Sequence, residues 1–209
     1  MFLELSNGFT NTILIFILTL LFSLPLGIGI YYLKSSKILP IRALFSFFVS
    51  LMRGTPLMLQ LMFVYFGPYY IFGFRSPDRF FAVIVTFSLN YSCYFAEIYR
   101  GGFEAIHKSQ FEAAKIMGLS KALTFRKIIL PQVIKIIIPS ITNEVITLVK
   151  DTSLAMVIAV SETFTIAKSM AARDASISPY VAVAIFYFFM NYLVEYIMKK
   201  IERKIKNNA

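Results

Sequence analysis

Five apolar stretches separated by short basic or polar blocks dominate the pattern along this chain. From Leu5 to Leu33 no charged residue occurs, and about 20 predominantly apolar residues suffice to cross a bilayer, so a first span is predicted over about 9–33. Within it, Pro25, Gly27 and Gly29 predict a kink or a close helix contact, unless they are merely tolerated in a lipid-facing helix. A basic stretch from Lys34 to Arg42 leads into a short apolar helix over 41–52, which ends at Arg53-Gly54. That piece either lies along the membrane surface or completes a longer broken span. Thr55-Pro56 reads as a fresh helix start, with threonine as cap and proline at the first helical position, which puts a second span over about 56–73. A third is predicted over about 80–99, with Tyr69 and Tyr70 at the outer interface before it, a fourth over about 136–160 and a fifth over about 180–198.

Between the third and fourth spans, residues 100–135 read RGGFEAIHKSQFEAAKIMGLSKALTFRKIILPQVIK. Gln110 to Met117 has helix-forming composition, and Gly118 offers a left-handed stop. Ser120 is placed to cap a second short helix, which Pro131 should interrupt. Two short helices, with Ala113 and Ala114 exposing little side chain, predict a compact surface knob or an ordinary solvated connector.

Composition turns this pattern into a membrane assignment. Of 209 residues, 58% are hydrophobic and only 15% charged, a balance that leaves more apolar surface than one soluble core can bury. The net charge of +10 would fit nucleic acid were it not confined to blocks between apolar runs, so no nucleic-acid partner is expected. With the N-terminus outside, sixteen Lys and Arg fall on the inner side (Lys34–Arg53, 100–135 and Lys199–Lys206) and four, Arg75, Arg79, Lys168 and Arg173, on the outer side, with Lys150 left in the membrane. This is a strong positive-inside bias. It predicts five spans, N-terminus out and C-terminus in. The opening residues MFLELSNG lack a basic n-region, so the first run is expected to be an uncleaved span. One cysteine, Cys93, excludes an internal disulfide, and one histidine, His107, leaves little for a metal site; His107 is expected to be a solvated side chain.

The motifs along the chain narrow the function. EAAKIMG (Glu112 to Gly118) with Leu130-Pro131 downstream resembles the EAA loop of binding-protein-dependent ABC importer permeases. Arg53-Gly54-Thr55-Pro56-Leu57, Ala96-Glu97-Ile98 with Arg100-Gly101-Gly102, Gln110, and Lys150-Asp151-Thr152-Ser153-Leu154 follow in that family's order. Together they are similar to its polar amino acid subfamily over nearly the whole chain, departing at Cys93 and Ser109, where alanine and glycine are usual. The resemblance implies an all-α integral membrane protein of the MetI-like ABC permease fold, one transmembrane permease domain over 1–209, in a bacterial inner membrane. It implies that Gln110, Glu112, Ala113, Ala114 and Gly118 form a coupling helix set in a groove of a separate ATP-binding subunit. It further implies a second permease subunit, identical or related, and an extracytoplasmic amino acid-binding protein. The chain has no GxxxxGK[ST] sequence to cradle phosphates. No cofactor is therefore expected in it, ATP and magnesium being held by the partner, and no catalytic residue is expected either.

Charges inside the fourth span supply the candidate chemistry. An ionisable group at the centre of a membrane helix costs roughly 2.5–3.5 kcal/mol on insertion scales, so Glu144, Lys150 and Asp151 call for a reason. Glu144 and Asp151 are seven residues apart and project from one face about 10 Å apart, with Asn143, Thr147 and Ser153 nearby. Stacked carboxylates suit the ammonium group of an amino acid and, for a basic one, its side chain as well. Alternatively Lys150 neutralises one of them, or this part of the span sits at an aqueous edge. The shared Lys150–Leu154 motif, with Thr152 and Ser153, points to gating or structure for Asp151, leaving Glu144 as the better specificity candidate and basic amino acids as the favoured substrate. Glutamine, glutamate or cystine are alternatives within the family. Arg53, Gly54, Thr55, Pro56, Arg100 and Gly101 are read as structural or gating residues, Arg100 as a charge anchor and the glycines after it as a hinge. A small oligomeric secondary transporter is the competing class, but it would ordinarily show more spans and internal repeats.

Overall fold

The computed structural model describes residues 2–207 and contains only helices and turns among them. In order these are α1 (Phe2–Lys34), α2 (Leu39–Gly54), α3 (Leu57–Phe72), α4 (Arg79–Glu104), α5 (Lys108–Ile116), α6 (Lys121–Thr124), a π-helical turn (Phe125–Ile129), α7 (Leu130–Asp151), a 3-10 segment (Thr152–Ile158), α8 (Thr163–Asp174) and α9 (Ser178–Asn207). Among the described residues four stretches are long and apolar enough to cross a membrane: Leu5–Lys34, Arg79–Glu104, Lys121–Ile158 and Ser178–Lys206. The pair α2 and α3, bent by 109°, supplies a fifth if it is counted as one broken span.

α4 is the centre of the bundle. It packs against α1, α2, α3 and α7, and Phe87, Phe95, Val83 and Ala82 on it are fully buried. Its seam with α1 is made of small residues. Thr19 and Ser23 on α1 and Ser88, Ser92, Cys93 and Ala96 on α4 are buried, and a Cβ on Gly27 would lie 2.9 Å from Phe95 Cβ and 3.0 Å from the Ser92 carbonyl. Small side chains let two membrane helices approach closely when apolar burial gives no net drive between them. Gly27 therefore marks a helix contact, whereas Gly29 faces open space.

The break between α2 and α3 is built differently from the expected cap. Pro56, without an N–H, leaves the Met52 carbonyl unbonded by the helix. Two side-chain amides replace it: Gln60 Nε2 donates to Met52 O at 2.8 Å and Asn90 Nδ2 at 2.9 Å. Gln60 Nε2 also donates to the Thr55 carbonyl and hydroxyl, while Asn90 Nδ2 donates to Gln60 Oε1. Thr55 does not cap α3. Its hydroxyl donates back to Leu51 O at 2.8 Å, and Pro56 occupies the capping position with no side-chain bond.

Pro131 does not interrupt the chain as expected either. It sits in the first turn of α7, and the helix runs without a break from Lys121 to Ile158. The wider π-helical turn at Phe125–Ile129 lies just before it, where the ring would otherwise press on the preceding turn. Past α7 the helix tightens to 3-10 and ends at Ala159, held at φ 55°. Glu162 then caps α8. Its fully buried carboxylate accepts from the N–H groups of Phe164 and Thr165 and from the Thr165 hydroxyl, and burial still pushes its pKa above the usual range.

Candidate functional site

The carboxylates of α7 and the break of α2–α3 meet at one cavity of about 570 Å³. Arg53, Gly54, Thr55, Pro56, Asn90, Tyr91, Tyr94, Glu144, Thr147 and Asp151 border it. Helical period places Glu144, Thr147 and Asp151 on one face of α7, and that face fronts the amide-tied break. Asp151 accepts a hydrogen bond from the Tyr91 hydroxyl at 2.7 Å. Glu144 has no hydrogen bond or ion pair among the described residues. The cavity thus offers one carboxylate already engaged and one free to receive a ligand donor.

The neighbouring residues divide sharply. Asn143 is exposed and does not border the cavity, because one residue turns the side chain through 100° on the helix. Lys150 is also exposed and forms no ion pair with Glu144 or Asp151; its carbonyl accepts from the Ser153 hydroxyl at 2.8 Å. Thr152 is fully buried, bonding Val149 O at 2.7 Å.

A second hollow of about 330 Å³ adjoins the first, bordered by Arg53, Tyr94, Glu97, Arg100, Gly101, Gly102, Ser140 and Glu144. Its organiser is Glu97, whose side chain is 12% exposed and pairs with Lys34, Arg53 and Arg100. Arg100 also bonds Glu104. Two glycines follow it, Gly101 facing open space. α4 continues through them to Glu104, and a Cβ on Gly102 would lie 2.2 Å from Ile137 Cγ2. Gly102 is there to let α7 approach. Glu97, Gln60, Asn90 and Tyr91 are the site residues that sequence reasoning missed. The available signal was the rarity of buried amides and acids in a membrane-length helix.

The knob after α4 stands apart. His107, rather than being merely solvated, caps α5, its Nδ1 accepting from Ser109 N at 3.3 Å. Gln110, Glu112 and Ala113 are exposed, but Ala114 is 1% exposed and packs inward. It supports the knob and offers no surface to another protein. Gly118 takes φ +73°, the left-handed conformation that glycine adopts without steric penalty. Phe111, Ile116 and Met117 are exposed apolar side chains on this knob, Ile116 at 87%.

Long apolar helices around a polar central helix, with two carboxylates at one cavity, make this a helical membrane protein in its architecture. The chain belongs to the family of binding-protein-dependent transport system inner membrane components, whose pattern spans residues 6–207. It is similar to the arginine transport system permease protein ArtQ of Bacillus subtilis (strain 168), 37% identical over 203 residues that cover 97% of this chain and 92% of that protein. It is also similar to the L-cystine transport system permease protein TcyB of the same organism, 36% identical over 205 residues covering 96% of this chain and 86% of that protein. A crystal structure of an amino acid ABC transporter with histidines superposes with a TM-score of 0.87 at 31% identity, covering 96% of this chain and 94% of that one. The protein is thus the permease component of an amino acid ABC importer, a multi-pass inner membrane protein of the MetI-like fold. The secondary-transporter alternative finds no support.

Proposed function

We propose that this chain forms half of an inward path for polar amino acids, favours cationic ones, and is driven by a separate ATP-hydrolysing subunit that holds ATP and magnesium. The observation that carries the substrate preference is Glu144, a carboxylate without a protein partner facing a chamber it shares with Asp151. An ammonium or guanidinium entering that chamber would gain charge-assisted hydrogen bonds. The naming of ArtQ as an arginine permease supports the same preference, and the naming of TcyB as a cystine permease keeps cystine as the alternative.

The path is completed by a second permease subunit, this chain again or a relative, and an extracytoplasmic binding protein delivers the substrate. The knob of α5 and Gly118 faces the ATPase on the inner side, with the N-terminus outside and the C-terminus inside; sixteen basic residues against four support that orientation. Exposed Phe111, Ile116 and Met117 give the knob an apolar contact for its partner, with Gln110 and Glu112 beside them.

The test is uptake by the assembled importer in liposomes. Glu144→Gln should reduce arginine uptake about tenfold, the worth of a hydrogen bond to a charged group, while glutamine uptake falls little. Equal losses for both amino acids would refute the cationic preference.

A further inference from the structure

The two hollows meet at Arg53, which borders both, as do Tyr94 and Glu144. On one side stands Glu97, already held by Lys34 and, at 2.8 Å, by Arg100. Arg53 is its third cation and lies farther off than Arg100, at 3.5 Å. Its side chain is 42% exposed, the most exposed of the three cations. On the other side stands Glu144, which has neither hydrogen bond nor ion pair among the described residues. One carboxylate is paired with three cations and the other with none, the Arg53 charge reaching it only without direct contact, and Arg53 alone among the cations borders both hollows.

Arg53 is also placed to move. It lies in the last turn of α2, next to the 109° break, so a change in that bend carries its backbone. Its guanidinium sits 5.3 Å from the centre of the Tyr94 ring. A cation over an aromatic face keeps that attraction while its ionic partner changes.

We propose that Arg53 is a latch between the two hollows, pairing with Glu97 in one position and with Glu144 in the other, and that it competes with a cationic substrate for Glu144. In one position Arg53 neutralises Glu144 and fills the passage; in the other, the one seen in this structure, it pairs with Glu97. An entering ammonium or guanidinium takes Glu144, Arg53 returns to Glu97, and the passage to the second hollow clears. The competition rests on the substrate role proposed for Glu144; the exchange of partners by Arg53 does not.

The experiment uses the complete importer in proteoliposomes, with arginine as the substrate. Arg53→Gln is made in the native and in the Glu144→Gln background, and arginine KM and substrate-independent ATP hydrolysis are measured. In the native background Arg53→Gln should lower KM and raise substrate-independent hydrolysis, each by about threefold, and in the Glu144→Gln background it should do neither, because contacting residues act non-additively. Equal effects in both backgrounds, or no effect in the native one, overturn the latch. If Arg53→Gln does not assemble, Arg53→Lys, which keeps the charge but loses the planar fork, is read the same way: dependence on Glu144 supports the latch and independence refutes it. Equal loss of arginine and glutamine uptake in Glu144→Gln would sink the substrate role alone, since the hydrolysis measurement still decides the exchange.

Discussion

α4 and α9 are both long enough to cross a membrane, yet they do opposite work. In α4, 67% of the membrane-length window is buried inside the protein; in α9 the share is 6%. α4 is also the least apolar of the four candidate spans by mean hydropathy. Its buried face carries Thr86, Asn90, Tyr91 and Ser92, each hydrogen-bonded to another protein group, and Glu97 lies near its end. α9 turns Phe188, Phe189, Tyr192, Leu193 and Tyr196 outward. The difference teaches that in a lipid-soluble bundle the polar helix goes to the middle, because only other protein groups can satisfy its donors and acceptors there. Apolarity is spent on the outside, where the solvent is hydrocarbon.

That contrast can be broken by substitution, and the largest effect should come from the polar hub. Glu97→Ala leaves Lys34, Arg53 and Arg100 together without their shared carboxylate. The purified complex should lose about 2.5 kcal/mol of stability, the order of the charge-assisted hydrogen bonds that Glu97 accepts, read as a lower melting temperature in detergent; melting like the parent would refute the hub. Gly102→Leu forces a side chain into Ile137 and should lose about 2 kcal/mol by overpacking, with the α4–α7 contact loosened to proteolysis. Asn90→Leu removes one of two donors on the Met52 carbonyl. A loss of about 1 kcal/mol is expected, and the same melting measurement checks it. At the other end, Phe189→Leu on bare α9 should change stability by less than about 0.5 kcal/mol. If this exposed substitution proves as damaging as Gly102→Leu, the division between central and peripheral helices is mistaken.

The apolar runs were legible because length and charge-free composition translate directly into helices that can cross a bilayer. The stop at Gly118 and the cap at Ser120 were legible too, since each depends on local geometry: φ +73° at Gly118 and a bond from Leu123 N to Ser120 Oγ. Thr55 and Pro131 misled for the same reason in reverse. Their local signals were overridden by competing neighbours, the Leu51 carbonyl that takes the Thr55 hydroxyl and the π-helical turn Phe125–Ile129 before the proline. Asn143 shows the limit of proximity as a guide, since it stands beside Glu144 in sequence and outside the chamber in space.

Sequence by itself determined that this chain dissolves in a membrane, that Glu144, Thr147 and Asp151 share a face, and which family its motifs resemble. Those properties follow from composition and helical period, which act over a few turns. Tertiary structure alone decided that Arg53 pairs with Glu97 and borders both hollows, that Tyr91 engages Asp151, and that Gln60 and Asn90 tie the break between α2 and α3. Each of these joins helices far apart in the chain. Buried polar groups choose their partners by where packing brings them, and no local pattern records that choice.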